Sequence, residues 1–150
     1  MLSSVTMESF ETLWEEWQQI LPQCASNSIF LTPLWQQLWW QELGVGDLRL
    51  LRVSRGDRLL GIAPFARVGS RWRFLGDASV FDYQDVVVSR GAEDPFFQDL
   101  LDYMEQETWE TLELSSIPEG SPTLELLPSL AQERGWDVVV DVEGVTPGVS

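Results

Sequence analysis

The sequence predicts one α/β domain, in which a mixed, partly parallel sheet of about six strands is flanked by about four helices on both faces. Three observations predict it. Two helical segments come first, three strands of antiparallel type follow, and strands then alternate with helices, which is typical of crossover connections. The length of 150 residues is usual for a single domain. We expect residues 1–143 to form this domain and residues 144–150 to be a linker-like tail.

Helical spacing and capping residues define the helices. In the first segment the apolar residues share one face, and Pro22 follows it. Thr32-Pro33 predicts the start of the second, since Thr is a good N-cap and Pro fits the first helical position. Trp40 lies off the apolar stripe of that helix and either widens its buried face or contacts a partner. The predicted helices span about 9–21, 33–43, 95–106 and 123–134.

Strands are predicted where apolar residues run or alternate between turn residues. Residues 54–57 form the expected hairpin turn, and Pro64 should lie at a bulge or a sheet edge because it cannot donate a ladder hydrogen bond. The strand that contains Leu114 is expected to lie parallel to the strands before and after it, through helical crossovers. The predicted strands span 48–53, 59–66, 71–75, 83–88, 109–114 and 136–142, with a short leading strand at 2–5.

Composition excludes several kinds of site. The chain has nine basic residues, all arginine, against 24 acids, a net charge of −15, and no histidine. It therefore cannot hold a Ser-His-Asp triad, a histidine-ligated metal, a lysine Schiff base or a P-loop lysine. Its single cysteine, Cys24, excludes an internal disulfide and a cysteine-ligated metal, so no metal is expected.

Charge and hydropathy also limit the partners. So acidic a chain should repel nucleic acid and anionic membranes, and neither is expected as a partner. No signal peptide or membrane-spanning run is evident, so the expected compartment is the cytoplasm. Seven arginines nevertheless lie within residues 49–73. They either form a patch for an anionic ligand or an acidic partner lobe, or cover the sheet and pair with the protein's own acids.

Four stretches of the sequence carry a resemblance to a known family. Their order and spacing resemble the GNAT acyltransferase fold and, more specifically, the N-terminal lobe of the CelD-type (BioF2-like) acetyltransferases, which are related to the FemAB peptidyltransferases. The resemblance runs from about residue 10 to residue 143. The stretches are 30–35 with Trp39-Trp40, 60–65, 74–76 with Asp82, Tyr83 and Asp85, and 112–119.

The resemblance implies a function. Members of that family resemble two GNAT-like lobes in tandem, with acyl-CoA such as acetyl-CoA held mainly on the second, and they transfer an acyl group to an amine. The chain resembles the first lobe. The resemblance implies that this lobe supplies scaffold and the surface that faces the amine acceptor, that it holds no CoA, and that it is inactive alone. Its implied partners are a second GNAT-like lobe or another copy, and a small-molecule amine acceptor. The alternative is a non-catalytic GNAT-like binding or dimerisation module.

The resemblance also indicates where CoA would bind. A GNAT acyltransferase holds the CoA pyrophosphate on backbone N–H groups at the start of the helix after strand four. Residues 89–95 match that place, and Arg90 and Gly91 are the candidate cofactor-binding residues. The family's second glycine is absent, and Glu93 and Asp94 put carboxylates where phosphates would lie. An ordinary helix start is therefore the other interpretation.

Acyl transfer needs a base for the amine and an acid or oxyanion donor for the leaving thiolate. Polar residues suited to these roles lie near the gap between the fourth and fifth predicted strands. Besides direct catalysis, they could contact a substrate across a cleft between lobes, or simply form turns and a solvated strand start. No catalytic role is assigned among them. The candidates are Asp82, Tyr83, Asp85, Glu113, Ser115 and Ser116.

Overall fold

The structure, a computed structural model, describes residues 3–24, 29–76, 83–143 and 146–149. Four α-helices and a mixed sheet confirm the predicted fold class. The elements in chain order are β1 (Ser3–Glu8), α1 (Phe10–Ile20), α2 (Pro33–Leu43), β2 (Asp47–Arg55), β3 (Arg58–Val68), β4 (Arg71–Phe74), β5 (Val87–Val88), α3 (Glu93–Glu105), β6 (Thr111–Glu113), α4 (Pro122–Glu133), β7 (Val140–Glu143) and β8 (Thr146–Val149).

The main sheet has six strands in the order β1-β2-β3-β4-β6, and β5 also pairs with β3. All of its pairings are antiparallel except that of β4 with β6, in which Trp72 lies beside Leu112. The chain passes from β4 to β6 through β5 and α3. A parallel pair joined through a helix is thus present, but the partner of β6 is β4 and not the predicted strand over 83–88.

β4 and β5 lie in line along the same side of β3. Phe74 pairs with Phe65, and Val87 pairs with Ile62. Between the two pairings the chain leaves the sheet after Leu75 and returns before Val87. β4 and β5 are thus two parts of one interrupted strand, and the predicted continuous strand over 83–88 is wrong for its first four residues. Residues 77–82, which cover most of the loop predicted between these strands, lie outside the described residues.

Pro64 lies opposite this interruption, in the middle of the central strand β3. Its carbonyl accepts a 3.0 Å hydrogen bond from the N–H of Leu75, the last residue before the chain leaves the sheet. Pro64 pairs with Leu50 of β2 on one side, and its nitrogen faces the other side, where the pairing of β3 with β4 and β5 is interrupted, so the N–H that proline lacks is not needed. The predicted sheet edge is wrong, and the register shift in this hairpin falls between Val53 and Ser54.

The sheet separates two apolar cores. On one face α1 and α2 pack over the sheet, with Leu13 and Trp17 fully buried. On the other face α3 and α4 cover a second core that includes Phe96 and Leu127. Trp40 is partly buried against the first core, so it widens the buried face of α2.

The helix starts follow from their capping residues. The Ser9 hydroxyl accepts from the Thr12 N–H and the Thr12 hydroxyl from the Ser9 N–H, which forms a capping box. The hydroxyl of Thr32 caps α2 as predicted, accepting from the N–H of Trp35. α4 begins one residue earlier than predicted, with Ser121 as its N-cap.

The C-terminal segment differs from its prediction. The predicted strand over 136–142 begins only at Val140, and it pairs antiparallel with β8 in a separate two-stranded sheet. The second predicted parallel crossover is therefore wrong. β8 lies within the segment predicted to be a linker-like tail. Within the described ranges, no helix is long and apolar enough to cross a membrane.

Candidate functional site

Ser115 and Ser116, two of the predicted site residues, contact Gln84 where the interrupted strand returns to the sheet. The N–H of Gln84 donates to the carbonyl of Ser116 over 2.9 Å, and its side-chain amide lies 3.5 Å from both oxygens of Ser115. Ser116 has a φ of 63°, a left-handed conformation that non-glycine residues adopt rarely. The segment before β5 is thereby joined to the segment after β6, so the gap between these two segments is bridged by the protein itself.

Asp85 anchors that bridge to α4. Its side chain is only 2% exposed. One carboxylate oxygen accepts from the Ser121 hydroxyl at 2.5 Å, and the other accepts from the Thr123 hydroxyl at 2.5 Å and from the Val86 N–H at 2.8 Å. Ser121 also caps α4, accepting from the N–H of Thr123. Asp85 is thus fully engaged in a structural network at the start of α4.

The other acidic and phenolic candidates lie apart from this network. Tyr83 is 48% exposed. Glu113, on β6, pairs with Arg71 of β4 at 3.3 Å, and both side chains are about half exposed. Asp82 lies outside the described residues. The contacts that are described tie Glu113 to β4 and Asp85 to α4, and they do not assemble a catalytic pair.

The bend between β5 and α3 holds Arg90 and Gly91. Three backbone N–H groups of this bend already donate within the protein. Ser89 donates to the carbonyl of Leu60 at 3.0 Å, Arg90 to that of Gln23 at 2.9 Å, and Ala92 to that of Ser89 at 2.9 Å. Gln23 follows α1, and the next residue, Cys24, forms a β-bridge with Ser89. The segment after α1 therefore lies against the bend.

The first turn of α3 is unsuited to an anion. Glu93 and Asp94 occupy it, and Pro95 has no N–H to offer. No side chain caps the helix at Ala92, so the predicted helix start is present but relies on its acids, which favour the positive end of the helix dipole. Gly91 has a φ of +88° and open space around its missing side chain. It serves the turn, and the bend does not fit a pyrophosphate.

The arginine-rich segment mostly pairs with the protein's own acids. Arg52 donates two hydrogen bonds to Glu16 of α1, at 2.9 and 2.8 Å. The hydrogen bond and charge of that guanidinium lower the pKa of Glu16 against the opposing effect of burial. The self-paired interpretation is thus favoured over an anion patch. The ion pairs are Arg49–Asp47, Arg52–Glu16, Arg55–Asp99 and Arg71–Glu113.

Gln84, Ser121 and Thr123, which hold Ser115, Ser116 and Asp85 in place, are not predicted from the sequence. One signal could have found the two hydroxyl residues: Ser121-Pro122 repeats the cap-and-proline pattern of Thr32-Pro33. For Gln84 the sequence offers no signal. Across the ranges that the structure describes, no group of three or more histidine, cysteine or acidic side chains could hold a metal.

Comparisons with solved structures decide the fold. The chain is similar to the ribosomal-protein-S18-alanine N-acetyltransferase from Escherichia coli, with a TM-score of 0.58 and 10% identity over 99% of this chain and 90% of that one. It is similar to the PaiA N-acetyltransferase from Thermoplasma acidophilum, in complex with coenzyme A, with a TM-score of 0.58 and 9% identity over 99% and 98%. It is also similar to an acetyltransferase of the GNAT family from Desulfovibrio desulfuricans, with a TM-score of 0.54 and 12% identity over 99% of this chain and 96% of that one.

The chain has a GNAT-like fold. At these identities the likeness concerns the fold alone. No protein-family model matches the sequence, and no curated protein sequence matches it. The sequence singles out two places: the gap between the predicted strands over 83–88 and 109–114, for acid-base or substrate contacts, and the bend before α3, where the resemblance places the CoA pyrophosphate. In this chain the first is bridged by Gln84 and Asp85, and the second presents Glu93 and Asp94.

Proposed function

We propose that this chain is a non-catalytic lobe of a GNAT-like N-acyltransferase, which supplies scaffold and acceptor-side surface while another GNAT-like lobe holds the acyl-CoA. The observation that carries the proposal is the Asp85 network. It fixes the segment before β5 to the start of α4, at the gap where the candidate acid-base residues were expected. A lobe built in this way acts through the surface that it offers to an amine acceptor and to its partner lobe.

Electrostatics at the bend support the same conclusion. A bound pyrophosphate would face the carboxylates of Glu93 and Asp94. Like charges in close contact cost several kcal/mol unless a cation intervenes, and the overall charge of −15 adds to the repulsion. Arg90 is the one base in residues 83–105, and it is exposed on the turn. One exposed guanidinium does not offset two acids and a missing amide.

The acceptor side is the more open part of the fold. Tyr83, Glu113 and Ser115 are exposed or half-exposed beside the bridge, whereas Asp85 and Ser116 are buried. A phenol, a carboxylate and a hydroxyl are suited to bind an amine by hydrogen bonds and charge. These three side chains are the ones that we assign to contact with a small-molecule amine.

Titration of the chain with acetyl-CoA by isothermal calorimetry tests the proposal. We expect no saturable heat up to millimolar acetyl-CoA, and full binding to a single-domain GNAT enzyme measured alongside. Micromolar binding that is lost when Arg90 is changed to Glu would overturn it.

The lobe assignment has its own test, which uses the gene. We expect the reading frame, or a gene beside it, to encode a second GNAT-like lobe, and that lobe to bind acetyl-CoA and to acylate amines when combined with this chain. Amine acylation by the chain alone would contradict the assignment.

A further inference from the structure

A cavity of about 440 Å³ lies between β6, the second half of α4 and residues 136–139. This volume is in the range of small-molecule sites, which run from about 300 to 1,000 Å³. Leu112, Leu114 and Leu127 supply apolar walls that continue into the core beneath α3 and α4. The residues assigned above to the amine acceptor and to the bend do not line it, so it is a separate feature of the fold.

Two tryptophans, Trp109 and Trp136, are part of the cavity wall. The rings of Trp109 and Trp136 lie 4.7 Å apart between centroids, at an interplanar angle of 65°. Trp109 is held by a 2.7 Å hydrogen bond from its indole N–H to the carbonyl of Met104. Both rings are partly buried against the core. They form an aromatic corner in the cavity wall.

The backbone explains how Trp136 comes to this position. α4 ends in a Schellman motif: the N–H of Trp136 donates to the carbonyl of Ala131, and that of Gly135 donates to that of Gln132. Gly135 has the required positive φ of 85°. The motif turns the chain back along α4 and brings Trp136 beside Trp109, 27 positions earlier in the sequence.

Each tryptophan is followed by an acid that also lines the cavity. These acids are Glu110 and Asp137, and neither makes a described ion pair. Glu110 accepts one hydrogen bond, from the hydroxyl of Ser70 at 3.2 Å, which leaves its charge uncompensated. Among the residues described at the cavity wall none is basic. The cavity therefore combines aromatic faces, apolar walls and two negative charges.

We propose that this cavity binds a small organic cation with an apolar body, of the arylalkylammonium type. The apolar part is buried against the leucines, and the ammonium group lies over the tryptophan faces, where the ring quadrupoles attract it. Glu110 and Asp137 add charge attraction, and the field of a protein with net charge −15 raises the local concentration of cations. An anionic ligand would be repelled by the two carboxylates and by the negative faces of the tryptophan rings.

The test compares 2-phenylethylammonium with 2-phenylethanol, a neutral molecule of nearly the same shape. The chain, labelled with ¹⁵N at its tryptophans, gives eight indole N–H signals, and Trp109→Phe and Trp136→Phe assign the two that matter. We expect saturable shifts confined to these two signals, and at least about fivefold tighter binding of the ammonium. Absence of saturable shifts, or shifts centred on other indoles, would overturn the proposal.

Two double variants separate the site from the general field of the protein. Glu110→Gln with Asp137→Asn should bring the ammonium and the alcohol to nearly equal affinity. Glu125→Gln with Glu133→Gln removes two exposed acids of α4 outside the cavity and should keep the preference for the ammonium. All four substitutions are at exposed positions, so both variants should fold. A preference that survives the first variant, or that is lost equally in both, contradicts the proposal.

Discussion

The carboxylate of Asp85 accepts a 2.5 Å hydrogen bond from the hydroxyl of Thr123, 38 residues further along the chain. With Ser121 as a second hydroxyl donor, this contact fixes the returning part of the interrupted strand to the start of α4. A buried carboxylate is stable in such a place only because each oxygen has a donor, and its partners depend on it equally.

Asp85→Ala should therefore lower the free energy of unfolding strongly. The change leaves two buried hydroxyls and the Val86 N–H without their acceptor, and we expect a loss of about 3 kcal/mol. Urea unfolding followed by tryptophan fluorescence measures it. Glu119→Ala, an exposed acid in the turn before α4, is the control and should change stability by less than about 0.5 kcal/mol. Equal effects of the two variants would mean that the network contributes nothing.

The ion pairs Arg55–Asp99 and Arg71–Glu113 should contribute differently to the free energy of unfolding. Arg55 donates two 2.9 Å hydrogen bonds to Asp99, which is 5% exposed, while Arg55 itself is 40% exposed. Arg55→Met leaves the buried carboxylate alone, although water reaches it in part, so we expect a loss of about 2 kcal/mol. Arg71→Met, in the half-exposed pair with Glu113, should cost less than about 1 kcal/mol. The opposite order in urea unfolding would contradict this assignment.

The sequence predicts the helices well because their signals are local. Ser9, Thr32 and Gly135 set the boundaries of α1, α2 and α4 through contacts within a few residues. The interrupted strand is different. The run from Tyr83 to Val88 has strand composition throughout, but Asp85 finds its donors at residues 121 and 123, and the first four residues of the run lie outside the sheet. Only tertiary contacts decide that outcome.

The candidate site follows the same division. Glu93 and Asp94 could be recognised from the sequence as unfavourable to phosphate, because their place in the first helical turn depends on adjacent residues alone. The bridge from Gln84 to Ser116 could not, because it depends on a left-handed serine that composition does not favour. The prediction of a strand from residue 136 was wrong for a related reason. Residues 136–139 line the cavity beside α4, and the N–H of Trp136 donates to the last turn of that helix.

Stability should depend on pH through Glu16. The pKa of its carboxyl is lowered in the folded protein from 4.5 by the hydrogen bond from Arg52. A lowered folded pKa contributes stability that is present above the unfolded value and is lost as pH falls through the folded value. Glu16→Gln should therefore cost up to about 1 kcal/mol at pH 7, and the difference from the parent protein should shrink below about pH 4.5.

Urea unfolding at a series of pH values measures that difference. Glu15→Gln, on the exposed side of the same helix, serves as the control and should show no comparable change with pH. A difference between Glu16→Gln and the parent that stays constant into acid would show that the pair with Arg52 is not formed in solution.

Cys24 should resist thiol reagents in the folded protein. The side chain is 1% exposed, and burial raises the pKa of the thiol to about 11. At pH 8 the thiolate fraction is therefore small, and access requires the segment after α1 to leave the bend at Ser89. Labelling by a disulfide reagent should be slower than in urea by a factor of about 100 or more. Rapid labelling of the folded chain would mean that this segment is open in solution.

Gly61 is the position at which the central strand meets both β5 and α3. A Cβ added there would lie 2.5 Å from the carbonyl oxygen of Val87 and 2.7 Å from the ring of Phe96. The backbone of β5 cannot move away without breaking its pairing with β3, so Gly61→Ala should cost more than about 2 kcal/mol. It should also speed the labelling of Cys24, because the bend at Ser89 follows β5 directly.

Gly69→Ala is the matched control. Gly69 has a φ of +63° but nothing within 4 Å of the added carbon. Its substitution meets only the backbone preference, which costs about 1 kcal/mol, and it lies at a turn far along the sheet from Ser89. Gly69→Ala should speed the labelling of Cys24 by no more than its loss of free energy of unfolding accounts for. If Gly61→Ala costs no more than Gly69→Ala in urea unfolding, the close approach of β3, β5 and α3 does not exist in solution.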